Sequence, residues 1–122
     1  MKKAEFSGEW ILNVPASTLS PVIAKFVQSG FVHIGHREPT VSVHFSITMD
    51  GKPFEFRFER PANWDGDGLL FVDRTETPAG ELTISFRYEL LDAGRRLLAT
   101  EHLRGAGREQ DNNWVFDRAP AS

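Results

Sequence analysis

The sequence predicts an all-β protein: a single antiparallel up-and-down β-barrel of about eight strands, with either a short helix or a bent strand after the first strand. Three observations carry that expectation. Apolar and polar residues alternate along most of the chain, the period of a strand with one dry face. Turn signals recur between the alternating runs, at Glu38-Pro39, Asp50-Gly51, Asp65-Gly66, Pro78-Ala79-Gly80, Asp92-Ala93-Gly94 and Gly105-Ala106-Gly107, which is the rhythm of consecutive hairpins. Taken independently, those turns place the apolar residues on one continuous face, and no set of helical patterns is available to cover it. With 122 residues, the chain is expected to form one domain spanning residues 1–122.

The first run is Gly8 to Val14, where Trp10, Leu12 and Val14 alternate with Glu9, Ile11 and Asn13. From Pro15 to Gly30 two readings stand. Ser20-Pro21 suits the start of a short helix running towards Ser29 with Gly30 as its stop, and Val22, Ile23, Phe26 and Val27 would then share a face and form a lid or plug. A bent strand is the alternative. From Phe31 onward, register follows from turn length. A two-residue turn at Asp50-Gly51 sets Ile47 against Phe54, Phe45 against Phe56 and Val43 against Phe58. A turn over Arg37 to Thr40 sets Val32 against Phe45, Ile34 against Val43 and His36 against Val41. In the second half, Leu90 meets Leu97, Tyr88 meets Ala99 and Ile84 meets Leu103, while Leu97 meets Phe116 and Ala99 meets Trp114. A sheet of this length twists and must hide its dry side, and closing on itself does so economically. Pairing the last strand with the first puts Phe116 opposite Leu12 and Arg118 opposite Trp10. A two-sheet sandwich is the structural alternative.

Composition narrows the function classes. The net charge is −3, so no basic field favours nucleic acid or anionic lipid. Cysteine is absent, which removes disulfides, thiolate nucleophiles and thiolate metal sites. No stretch approaches membrane-spanning length. The opening Met1-Lys2-Lys3-Ala4-Glu5 has no apolar run behind it, so no signal peptide is read and the expected location is cytoplasmic; an exported form with a trimmed signal would look the same. Phosphate loops, H-E-x-x-H and nucleophile elbows are missing, and no cofactor or metal is expected. A monomer or a homodimer fits equally.

Gly8-Glu9-Trp10 resembles the G-x-W signature of lipocalins, whose Trp packs under an Arg from the closing strand, with Arg118 in the matching place. Further stretches resemble a group of small bacterial lipocalin-like, calycin-type proteins of unknown function: Gly8 to Asn13, His36-Arg37-Glu38-Pro39, Trp64 to Leu69, Gly80 to Ile84 and Val115-Phe116-Asp117-Arg118. The resemblance implies a barrel closed by Trp10 and Arg118 that binds a small apolar or aromatic molecule.

Within such a barrel, Phe45, Phe56, Phe58, Phe86, Trp114 and Phe116 would converge, either as an aromatic-lined pocket or as a filled core. Glu101 falls on the apolar face between Phe86 and Asn112, with Tyr88 nearby. A polar group is costly to bury without a partner or a task, so Glu101, Asn112 and Tyr88 form the candidate ligand anchor, or else a satisfied interior cluster. A one-residue bulge would turn His102 inward in place of Glu101. One of Asp73 and Arg74 must also face inward. His36 and Arg60 close the apolar face at one end and would sit at a barrel mouth. Glu101 or His36 would be the proton-transfer group if the barrel were an isomerase or cyclase; a filled barrel acting as an interaction module is the third reading. His33 and His44 are outer-face neighbours beside Arg57, a poor setting for a metal.

Overall fold

The structure, a computed structural model, describes residues 6–119; the Met1 to Glu5 segment and residues 120–122 lie outside the described residues. Its elements are β1 (Gly8–Leu12), α1 (Pro21–Phe26), β2 (Val27–Arg37), β3 (Thr40–Met49), β4 (Lys52–Pro61), β5 (Trp64–Asp65), β6 (Gly68–Thr77), β7 (Gly80–Leu91), a 3-10 turn (Asp92–Gly94), β8 (Arg96–Gly105) and β9 (Arg108–Arg118). They form one nine-stranded antiparallel sheet in the order β4-β3-β2-β1-β9-β8-β7-β6-β5. The two-residue β5 brings the count above the expected eight. Every register expected from the turns is present, including Phe45 opposite Phe56, Val32 opposite Phe45, Tyr88 opposite Ala99 and Ala99 opposite Trp114. Asp50 and Gly51 both have positive φ, 50° and 75°, the twist that a two-residue hairpin turn needs.

The chain's two ends meet at β1 and β9, where Trp10 lies opposite Arg118 and Leu12 opposite Phe116. Arg118 holds its guanidinium 4.1 Å from the centre of the Trp10 ring. It also donates to the Ser7 carbonyl at 3.0 Å and the Gly94 carbonyl at 2.9 Å. Trp10 is fully buried and donates its indole N–H to the Phe6 carbonyl at 3.1 Å. Gly8 has φ +130°, and a Cβ there would stand 3.1 Å from Arg118 Nη1. The Gly-x-Trp spacing thus serves a cation seated on a ring, an arrangement favoured by the ring quadrupole.

The sheet curls into a half-barrel without closing into a complete ring. β4 and β5 are its ends, and β4 faces β6 across a seam bridged by side chains. Arg60 Nη2 meets Asp73 Oδ1 at 2.6 Å, and the Phe58 and Phe71 rings lie 5.1 Å apart. As an edge strand, β4 tolerates Pro53 and Pro61, which cannot donate to a ladder. The seam corrects one expectation. Phe56 faces inward by register but is 59% exposed, and Phe54 beside it is 46% exposed, because no neighbouring strand covers them.

The helix is shorter than expected. It ends at Phe26 because the next residue, Val27, already pairs with Met49. Ser20 makes no side-chain cap. Gly30 is therefore no helix stop; it lies in β2, where a Cβ would come 2.9 Å from the Ser46 carbonyl and 3.2 Å from Leu12. Val27 is buried and Ile23 packs on the core, whereas Val22 and Phe26 are exposed, so the four residues do not share one covered face.

The core runs along the concave side, with Phe45 at its hub, 5.6 Å from both Trp114 and Phe116 between ring centres. Phe116→Ala should destabilise the protein by about 3–5 kcal/mol, the usual cost of deleting a buried ring. Phe56→Ala should cost under about 1 kcal/mol, because that ring is already wet. Urea unfolding of both variants checks this; equal losses would mean that the seam is covered in solution.

Candidate functional site

The inward-facing residues do not fill the barrel evenly. Towards the turns joining β3 to β4 and β6 to β7 they leave a cavity of about 200 Å³. Phe45 and Ile47 of β3 and Phe56 and Phe58 of β4 form one wall. Ile84, Phe86 and Tyr88 of β7 form the other, with Glu101 and Trp114 at the back and Asp73 at the seam. Strand alternation explains the set, since each contributing strand offers every second residue to the concave side. Phe86 and Tyr88 stand almost parallel, 13° between planes, while Phe45 meets Trp114 edge-on at 84°.

The polar groups are fixed from behind. Asn112 is 1% exposed; its Oδ1 accepts the Ser20 backbone N–H at 2.7 Å. Its Nδ2 donates to Glu101 Oε1 at 2.9 Å, and Trp114 Nε1 donates to the same oxygen at 3.1 Å. The segment leading into α1 therefore orients the amide, and the amide orients the carboxylate. Among the described residues, Glu101 Oε2 takes no hydrogen bond and Tyr88 Oη makes none. Burial pushes the Tyr88 phenol well above its ordinary range, and the charge of Glu101 pushes the same way. Glu101 faces inward as its register requires, and His102 faces out to Asp111 at 2.6 Å.

Phe45, Phe56, Phe58, Phe86, Tyr88, Glu101 and Trp114 are thus brought together around one space. Four other candidates are placed elsewhere. Asn112 stands behind Glu101, and Phe116 is fully buried in the core. His36 lies at the expected end, the one away from the cavity, but is buried in a plug there and not open at a mouth. Its ring lies 5.9 Å from Phe6 and 5.5 Å from Trp64, and its Nε2 is 3.0 Å from Glu38 Oε1. The plug forms because β5 and the residues before β1 fold over that end, each bringing a large ring. Arg60 is turned to Asp73 and lies over the Phe58 ring at 5.0 Å. Ile47 and Ile84 were absent from the expected lining although their register placed them on the apolar face; Asp73 was one of the two residues expected to turn inward.

The remaining histidines are paired with carboxylates on the outside, His44 with Glu55 at 2.6 Å and His33 with Glu9 at 3.8 Å. Among the described residues no group of three ligands could hold a metal ion. No helix among them is long and apolar enough to cross a membrane.

Among solved structures, the chain is similar to that of the siderocalin Ex-FABP, described as functioning through dual ligand specificities. The TM-score is 0.61 at 15% sequence identity, covering 98% of this chain and 78% of the other. At that identity the likeness speaks to fold, and the fold is lipocalin-like. No family model and no curated protein matches the chain.

Tyr88 is the single tyrosine, so its ionisation can be followed by phenolate absorbance. Its folded pKa is raised above the ordinary 10.0. The unfolded chain therefore releases the proton first, and stability, fully present below about pH 10, should fall as pH rises beyond it. In urea titrations Tyr88→Phe should flatten that fall. An unchanged alkaline slope would show that the phenol is not sheltered.

Proposed function

We propose that the protein binds a small, largely apolar molecule of about one ring in this cavity. One observation carries the reading: an aromatic-walled space that contains two polar groups with unused hydrogen-bonding capacity, Tyr88 Oη and Glu101 Oε2. Polar groups inside a protein normally find partners in the protein or in water, so capacity left unspent towards a cavity is open to a guest. Size supports a small guest. Drug-sized ligands take pockets of about 300–1,000 Å³, whereas an apolar cavity of about 150 Å³ accepts benzene; the space here is about 200 Å³. The plugged far end restricts the guest to half of the barrel's length. The lipocalin-like neighbour, described as having ligands of its own, supports the reading at the level of fold.

A neutral single-ring probe, 2-phenylethanol, should raise the melting temperature by an amount that grows with the logarithm of its concentration above Kd. At about 100 times Kd the added stability is about 2.7 kcal/mol. Ile84→Phe, which fills the space, should weaken that binding at least about tenfold while the empty variant stays folded. Equal response of both proteins, or no response from the unaltered chain, would overturn the proposal. Native mass spectrometry of protein taken from cells should show a retained mass that the filled variant lacks.

A further inference from the structure

The charged side chains that line the cavity are of one sign. Its wall includes two carboxylates, Glu101 and Asp73, and no Lys, Arg or His. Asp73 is neutralised by Arg60 at 2.6 Å. Glu101 is held only by neutral donors, the Asn112 amide and the Trp114 indole, both on Oε1. No ion pair reaches it among the described residues. A carboxylate drawn partly out of water without a counter-charge is costly, and a cation placed beside it removes that cost. Six aromatic rings complete the wall: Phe45, Phe56, Phe58, Phe86, Tyr88 and Trp114. Ring faces carry partial negative charge and attract ammonium groups. Carboxylate and rings therefore favour the same sign of guest, and both disfavour an anion.

We propose that the ligand is an organic cation, a protonated primary amine attached to a single ring or an apolar body of similar size. This rests on the small-molecule reading above and narrows it. The ammonium group lies between Glu101 Oε2 and the ring faces. A primary ammonium has three donors: one reaches Glu101 Oε2, and Tyr88 Oη, 2% exposed with its residue, accepts another. The apolar body takes the space between Phe45, Phe58 and Phe86, and the uncovered edge at Phe56 gives it a route in.

Three probes of nearly equal size separate the possibilities: 2-phenylethylamine, 2-phenylethanol and phenylacetate, each titrated calorimetrically. The amine should bind at least about tenfold tighter than the alcohol, the usual gain from a charge-assisted hydrogen bond, and phenylacetate should bind most weakly. Glu101→Gln should erase the difference, so that the variant binds the amine no tighter than it binds the alcohol. The chain has three tryptophans, so their indole N–H signals can be resolved by NMR. The amine should move the Trp114 signal, whose N–H is bonded to Glu101, and leave those of Trp10 and Trp64 in place. Amine and alcohol binding equally, or phenylacetate binding tighter, would overturn the cation proposal while small-molecule binding stands. Failure of all three probes would sink both. The probe comparison on the unaltered chain needs no variant, so poor folding of Glu101→Gln would leave the test intact.

Discussion

The fold is organised around one junction, where the first strand pairs with the last and a cation sits over a ring. A meander of hairpins can place apolar residues on one face, but it cannot decide where its ends go. Here Arg118 caps Trp10 from outside and spends two of its donors on backbone carbonyls, that of Ser7 before β1 and that of Gly94 between β7 and β8. Together with the β1–β9 ladder beside it, that contact brings the β1–β4 half and the β5–β9 half face to face. Phe45 can then meet Phe86, Trp114 and Phe116 from the other half, and a cavity wall can be drawn from both.

Most of the local order was legible because it is local. Asp50-Gly51 and Ala106-Gly107 leave little choice of register, and a register, once set, determines which face each residue of two strands takes. The same logic turns Glu101 inward beside Asn112, and pairing the last strand with the first sets Phe116 opposite Leu12. Closure of the seam was not legible. Whether β4 pairs with β6 depends on the accumulated twist of the whole sheet, and alternation reads the same for a covered Phe56 as for an exposed one. The helix end was hidden for a related reason. Val27 continues the apolar spacing of α1, yet its partner Met49 lies across the sheet and claims it for β2. The plug over His36 needed Phe6 and Trp64, which are far from it in sequence and carry no periodic signal.

The site shows how a polar group is kept inside an aromatic barrel. Trp114 was expected only as wall, yet its indole N–H supplies half of the support for Glu101. Asn112 supplies the other half, and its own orientation comes from the backbone of Ser20. A residue outside the sheet thus fixes an amide inside it, and that chain of contacts leaves one carboxylate oxygen uncommitted.

The seam between β4 and β6 has a mechanical meaning. Two strands joined by a ladder separate only by breaking a row of backbone bonds together, whereas these two are joined by Arg60 with Asp73 and by the contact of two phenyl rings. Spreading them exchanges an ion pair for hydration and parts one edge-on ring pair, while every backbone bond of the sheet stays made. The girth of the barrel is therefore most readily adjusted along this line, where Arg60, Asp73, Phe58 and Phe71 stand in for a ladder.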